Sequence, residues 1–126
     1  TSQKIADIIN KIKPPFNTTS ISQSLAIKAL EDKEHIMNSV KLNTKVKDWF
    51  EKELKLLNIK IRQTQGNFTL IETSLEEAEK ISNHLISDGI IIRRLNSYNL
   101  PNFLRISIGT EEEMKMTVES LKKIYV

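Results

Sequence analysis

The spacing of the apolar residues changes near Asn58, and this change constrains the fold more than any other feature of the sequence. Before it, Phe50 and Leu54 recur at an interval of four residues, which is typical of one face of an α-helix. After it, Ile59 and Ile61 alternate with polar residues, which is the spacing of a β-strand. The chain therefore combines helices with strands, which argues against a purely helical bundle.

Three helices are predicted before this change of spacing. The first is a short amphipathic helix that ends before Pro14, because proline lacks an amide hydrogen and disfavours helix in the preceding residue. The second helix opens at Ser20 or Ser22. A polar break then separates it from a long third helix at about 34–57.

Four strands and two further helices are predicted after it. We expect strands at 59–64, 67–72, 90–93 and 103–108. Capping boxes open the two helices, the first with Ser74 and Glu77 and the second with Thr110 and Glu113. The inward positions of the first of these helices are expected at Leu75, Ala78, Ile81 and Leu85. Because short links join neighbouring strands, the sequence predicts an α+β fold with an antiparallel sheet of three or four strands, covered on one face by the long helix and the last two helices.

Composition removes several classes of function. The 126 residues contain no cysteine, which excludes disulfides, thiol catalysis and cysteine-bound zinc. The three glycines are far apart, so the chain has no glycine-rich phosphate loop. The two histidines, His35 and His84, show no metal-ligand spacing. No apolar run exceeds three residues and no leader follows Thr1, so we expect a cytoplasmic protein without a membrane span or signal peptide.

Two arginines carry the strongest chemical signal. The pattern places Arg93 at the end of an apolar strand, and Arg105 lies between Leu104 and Ile106. Because a strand alternates its faces, Leu104 and Ile106 face the core while Arg105 projects from the other face. A guanidinium there either lies on a solvated sheet face or clamps a carboxylate or phosphate through its paired donors, and periodicity leaves both open.

A longer pattern resembles one known enzyme family. The segment 89–113 is similar to the C-terminal stretch of histidinol-phosphate aminotransferases, with Gly, an apolar triplet, Arg, a Tyr-containing loop, Leu-Pro, Leu-Arg-Ile-Ser-x-Gly-Thr and acidic residues. Upstream, Pro-Phe-Asn at 15–17 and Gly-Asn-Phe at 66–68 resemble the family's connector and strand start. The matches keep their order along essentially the whole chain. Arg94, where the family usually has proline, and Lys47, where it often has arginine, depart from the pattern.

The resemblance covers only the C-terminal third of such an enzyme. It implies the small domain of a fold-type I enzyme that uses pyridoxal 5'-phosphate, with 1–15 a helix and connector of the large domain and 16–126 the small domain. The Ser-x-Ser-Lys motif that supplies the cofactor lysine does not occur in this sequence. We therefore expect pyridoxal phosphate in the intact enzyme, and no covalently bound cofactor or activity in this chain alone.

The resemblance also implies a reaction and a binding site. Such an enzyme converts L-histidinol phosphate and 2-oxoglutarate to imidazole-acetol phosphate and glutamate in histidine biosynthesis, as a cytoplasmic homodimer. Arg105 matches the arginine that binds the anionic end of the substrate, and Arg93 matches a second arginine near the same anion. Asn67 is a weaker candidate for substrate binding. Another class I or II aminotransferase, or threonine-phosphate decarboxylase, shares the arginine strand and stays open as an alternative.

Two functions from other classes also stay open. A basic α+β domain with antiparallel strands is one way to bind nucleic acid, and the net charge here is +3. Against this, only seven aromatic residues are present and the lysines are mixed with glutamates. A non-catalytic interaction module is the other alternative. The resemblance favours a small-molecule amino-acid, keto-acid or phosphate-bearing substrate, without nucleic acid or membrane as partner.

Overall fold

The computed structural model describes residues 2–125, and the chain divides into two compact units between residues 37 and 38. The first unit holds α1 (Gln3–Ile12), α2 (Ser20–Glu31) and the beginning of α3 (Lys33–Leu56). Thr19 caps α2 by accepting a hydrogen bond from the amide of Ser22 at 3.1 Å. None of the described residues of this unit is buried. The predicted domain boundary between 15 and 16 follows the family layout rather than these contacts, and it stays a prediction.

The second unit is an α+β layer, as the sequence predicts. After α3 the elements are β1 (Ile61–Arg62), β2 (Phe68–Glu72), α4 (Leu75–Ser87), β3 (Arg93–Leu95), a 3-10 turn (Asn96–Tyr98), β4 (Leu100–Ser107) and α5 (Glu111–Tyr125). The strands form one sheet in the order β1-β2-β4-β3, and every neighbouring pair is antiparallel. Since β4 lies between β2 and β3, the β2-α4-β3 segment is a split β-α-β unit with β4 at the centre.

The core lies on one face of this sheet, between the strands and the helices α3, α4 and α5. Thr69 and Ile71 of β2 and Leu104 and Ile106 of β4 point into it, and each is at most 3% exposed. The helices contribute Val46, Phe50, Leu54, Ala78, Ile81, Leu85, Met114, Val118 and Leu121. The alternate residues of β2 and β4 face the opposite side, so Arg105 projects away from the helices as the sequence predicts.

Two strands begin later than the sequence predicts, because the preceding helices end in Schellman motifs. Asn58 and Gly89 occupy the left-handed position after α3 and α4, with φ of 58° and 80°. The amide of Ile59 then bonds to the carbonyl of Leu54, and the amide of Ile90 to the carbonyl of Leu85. These bonds hold both isoleucines to the helix ends and out of the sheet. The observed strands are β1 at 61–62 and β3 at 93–95, where the sequence predicts 59–64 and 90–93.

Two further expectations about the elements are wrong. Leu75 is 54% exposed because it lies in the first turn of α4, directly after the cap, whereas Ala78, Ile81 and Leu85 are buried as expected. The last strand is predicted at 103–108, but β4 covers Leu100–Ser107 and thus starts three residues earlier. Both capping boxes are confirmed by reciprocal hydrogen bonds.

Candidate anion-binding site

The two arginines singled out in the sequence lie side by side on the sheet. Arg93 of β3 and Arg105 of β4 are directly paired in the register, and Arg105 is also paired with Leu70 of β2. Directly paired residues of antiparallel strands share a face, with Cβ atoms about 4.5–5.5 Å apart. The two guanidiniums therefore start from adjacent positions on the face opposite the core. Arg93 starts β3, not the end of a strand as the sequence pattern indicates.

Neither of these arginines has an acidic partner among residues 2–125. The other two arginines of the chain do, since Arg62 forms an ion pair with Glu72 and Arg94 forms one with Glu79. Arg93 and Arg105 instead contact aromatic rings. Arg105 lies 4.8 Å from the ring centre of Phe68, and Arg93 lies 5.7 Å from that of Tyr98. Unlike an ion pair, a cation–π contact does not use up the hydrogen-bond donors of a guanidinium.

The carboxylate of Glu72, on the same sheet face, is already paired with other cations. Glu72 accepts a hydrogen bond from Lys60 at 2.9 Å, and its other carboxylate oxygen forms an ion pair with Arg62. These contacts with Lys60 and Arg62 lower the pKa of the Glu72 carboxyl below its ordinary value of 4.5. Glu72 is thus a charged carboxylate at neutral pH, and it is engaged away from Arg105.

Asn67 lies in a different place from the arginine pair. Its carbonyl accepts a hydrogen bond from the amide of Ile108 at 2.8 Å, and its side chain is exposed. It lines an open cleft of about 650 Å³ with residues of α3 and the start of α5, and neither arginine lines that cleft. The structure therefore brings Arg93 and Arg105 together without Asn67, and a role of Asn67 in substrate binding stays a prediction.

The remaining polar clusters look structural. His84 lies 3.2 Å from the carbonyl oxygen of Ser120, and Asp88 accepts hydrogen bonds from Ser120 and Lys123 at 2.7 and 2.8 Å. These contacts join the end of α4 to α5. In the described part of the chain, no group of histidine and acidic side chains is arranged to hold a metal ion. Nor does any helix between residues 2 and 125 have the length and apolar character needed to cross a membrane.

Comparison with known proteins shows the protein family to which this chain belongs. The family model for class I and II aminotransferases matches residues 1–121, and the chain belongs to that family. Within it, the chain is 41% identical over 117 residues to the histidinol-phosphate aminotransferase of Zymomonas mobilis, covering 89% of this chain and 31% of that protein. The chain spans about a third of the length of the curated relatives it matches.

Solved structures agree with this assignment. The histidinol-phosphate aminotransferase of Clostridium acetobutylicum superposes with a TM-score of 0.86 at 25% identity, over 98% of this chain and 38% of that one. The enzyme of Sinorhizobium meliloti, solved in complex with pyridoxal-5'-phosphate, shares the fold with a TM-score of 0.87 at 22% identity, over 97% of this chain and 34% of that one.

The lysines of this chain do not fit a covalent pyridoxal-phosphate site. In the second unit, Lys45, Lys60 and Lys123 form ion pairs with acidic side chains on the surface. The half-buried Lys47 donates to the backbone carbonyls of Thr64 and Gly66. Lys122 is half-buried and pairs with Glu119. The remaining described lysines of that unit are exposed on helices. No described lysine is both enclosed and free.

The aromatic partners of the arginines were not identified from the sequence. In the sequence, Phe68 belongs only to the predicted start of a strand, and Tyr98 belongs only to the Tyr-containing loop. The alternation of β2 contained a usable signal, since Phe68, Leu70 and Glu72 must share one face. The pairing of that face with Arg105 required the register, which a single sequence does not provide.

Proposed function

We propose that this chain is the substrate-anion-binding part of a pyridoxal-phosphate-dependent histidinol-phosphate aminotransferase. The complete protein would convert L-histidinol phosphate and 2-oxoglutarate to imidazole-acetol phosphate and glutamate. Family membership and the names of the relatives support the class of reaction. The whole activity is a proposal, because the chain spans about a third of those relatives.

One observation carries the role of this chain: two adjacent guanidiniums without acidic partners. Two like charges at directly paired strand positions repel each other, and an anion between them removes that repulsion. A phosphate group carries up to two negative charges and accepts several hydrogen bonds, so it suits two guanidinium forks better than one. Arg105 and Arg93 would thus bind and orient the phosphate end of the substrate.

The cofactor belongs, on this proposal, to the part of the enzyme outside this chain. Pyridoxal phosphate supplies an electron sink for the bond changes at the amino carbon of the substrate. The contribution of this chain is to fix the distal end of the substrate, which limits its motion relative to the reacting group. A cytoplasmic homodimer with small-molecule substrates is part of the same proposal.

The experiment is a substrate panel with the complete protein that contains this chain. We expect transamination of L-histidinol phosphate with 2-oxoglutarate to exceed that of aromatic amino acids without a phosphate. L-threonine O-3-phosphate serves as the second phosphorylated amine, with decarboxylation monitored as well as transamination. Turnover of phosphothreonine alone would reassign the protein to the decarboxylase alternative. Turnover of unphosphorylated amino acids alone would contradict a phosphate-binding role.

A further inference from the structure

The ring of Phe68 lies over the guanidinium of Arg105, and we propose that Phe68 is a positioning residue that keeps this guanidinium available to the substrate anion. The proposal rests on the function proposed above, in which Arg105 binds that anion. Phe68 itself does not touch the substrate. It acts by selecting one of two directions that the long Arg105 side chain has available on the sheet.

The register defines those two directions. Arg105 is directly paired with Leu70, so its diagonal neighbours on β2 are Phe68 on one side and Glu72 on the other. Diagonal neighbours lie about 7–8 Å apart, within reach of a long side chain. A guanidinium that turned to Glu72 would form an ion pair and lose its donors to it. The guanidinium lies instead over Phe68, at 4.8 Å from the ring centre.

Stacking and ion pairing have opposite consequences for ligand binding. An aromatic ring contacts the face of the guanidinium, whereas a carboxylate takes up the donors at its edge. The Nε atoms of Arg105 and Arg94 are both buried without a hydrogen-bond partner in the described structure, but only Arg94 has an acidic side chain beside its guanidinium. Glu72 is meanwhile held by Lys60 and Arg62. The hydrogen-bond donors of Arg105 therefore have no acidic partner among the described residues, and Glu72 is already paired with other cations.

The ring of Phe68 is itself held in place from its other side. A Cβ atom at Gly66 would lie 2.8 Å from Cε1 of Phe68, so the ring packs directly against the space that this glycine leaves. The backbone around Gly66 is fixed by Lys47 of α3, which donates to the carbonyls of Thr64 and Gly66. The order of contacts is thus Lys47, the 64–66 loop, Phe68 and Arg105.

A spectroscopic test needs no variant. In this position the ring current of Phe68 shifts the Hε resonance of Arg105 upfield in the ¹H–¹⁵N spectrum of the chain. Arg94, for which the structure shows an ion pair and no ring contact, is the internal reference. We expect an upfield shift of Arg105 relative to Arg94 that persists when inorganic phosphate is added. Equal shifts for the two arginines would overturn the proposal.

The binding test uses inorganic phosphate and matched variants of the same chain. Phe68→Leu should weaken phosphate binding by roughly two- to fivefold, the range of an exposed cation–π contact, and Phe68→Tyr should not. Adding Glu72→Gln to Phe68→Leu should raise the affinity by a larger factor than Glu72→Gln does alone, because Arg105 turns to that carboxylate only when the ring is missing. Phe103→Leu changes the other phenylalanine of this sheet face, opposite Glu72, and should leave the affinity unchanged.

The outcomes separate this proposal from the function on which it rests. If Arg105→Ala leaves phosphate binding unchanged, the anion site and the positioning role both fail. If Arg105→Ala weakens binding but Phe68→Leu does not, only the positioning role fails. A loss in Phe68→Leu to which Glu72→Gln adds no larger gain than in the unmodified chain would mark a general structural effect and overturn the proposal. A gain from Glu72→Gln that is larger in the Phe68→Leu background than in the unmodified chain supports it.

Discussion

Arg93 and Arg105 place two positive charges at directly paired positions of a sheet, although Glu79 and Glu72 of the same unit pair with the other two arginines. Like charges opposite each other destabilise an antiparallel pair. Aromatic contacts with Tyr98 and Phe68 offset part of this repulsion without using the hydrogen-bond donors. The pair therefore carries two positive charges that have no acidic partner among residues 2–125.

Replacing Arg105 in the complete protein separates the geometry of the guanidinium from its charge. Arg105→Ala should reduce kcat/KM for the anionic substrate about tenfold to a few hundredfold, since a charge-assisted hydrogen bond contributes about 1.5–3 kcal/mol. Arg105→Lys should restore only part of it, because an ammonium cannot form the paired contact. Steady-state kinetics alongside the melting temperature check this. Unchanged kinetics with a small stability change would leave Arg105 as a surface residue.

Asp88 gives a prediction for the pH dependence of stability. Hydrogen bonds from Lys123 and Ser120 lower the pKa of its carboxyl below the ordinary 3.8. A lowered folded-state pKa contributes stability that is present above the unfolded-state value and is lost as the pH falls through the folded-state value. Asp88→Asn should therefore lower the melting temperature at pH 7, and the difference should vanish in strong acid. Asp48→Asn, on the exposed side of α3, is the control. A difference that stays constant with pH would contradict this.

At the scale of elements, α4 connects β2 to β3, and hydrogen bonds at both of its ends stabilise it. Its capping box satisfies backbone donors at the start through Ser74 and Glu77. Its Schellman motif at Gly89 satisfies carbonyls at the end and sets where the next strand begins. The helix end thus holds Ile90 out of the sheet, and β3 begins at Arg93, which is paired with Arg105.

The capping box of α4 is tested by Ser74→Ala. Loss of the side-chain acceptor for the Glu77 amide should lower the free energy of unfolding by about 0.5–2 kcal/mol. Ser87→Ala, at the other end of the same helix, removes only a hydroxyl that donates to the His84 carbonyl and should change stability by less than about 0.5 kcal/mol. Chemical denaturation measures both. Equal effects of the two variants would refute the capping argument.

The sequence was sufficient for the order and type of the elements but not for their exact starts. Ile90 to Ile92 read as a strand because β-branched residues favour extended structure. Whether the amide of Ile90 joins a ladder or a helix end depends on the three-dimensional path after Gly89, and the helix end takes it. The arginines were identified from residue type and family likeness, whereas their aromatic partners depend on cross-strand register. That register is a non-local property.

At the scale of the whole molecule, the second unit provides a small sheet that carries the arginine pair on the face opposite its core. The chain belongs to the class I and II aminotransferase family and spans about a third of its curated relatives. The proposed function assigns the cofactor to the part of the enzyme outside this chain. On the proposed function, this unit binds the anion of the substrate and the rest of the enzyme performs the chemistry.

Reductive labelling of the chain tests that division. Incubation with pyridoxal phosphate and borohydride should give only slow, scattered modification of exposed lysines, and the chain alone should show no transamination. Peptide mapping by mass spectrometry measures the distribution. Stoichiometric modification of a single lysine together with turnover would refute the expectation.

The role of the arginine pair as a phosphate ligand is tested most directly by one comparison in the complete protein. It is the ratio of kcat/KM for L-histidinol phosphate to that for L-histidinol, measured in the unmodified enzyme and in Arg105→Ala and Arg93→Ala. If the pair binds the phosphate, both variants lower the ratio, by about tenfold or more for Arg105→Ala. The reason is that each variant removes a contact that only the phosphorylated substrate makes. A ratio that stays the same in both variants would contradict the assignment of these arginines to the phosphate.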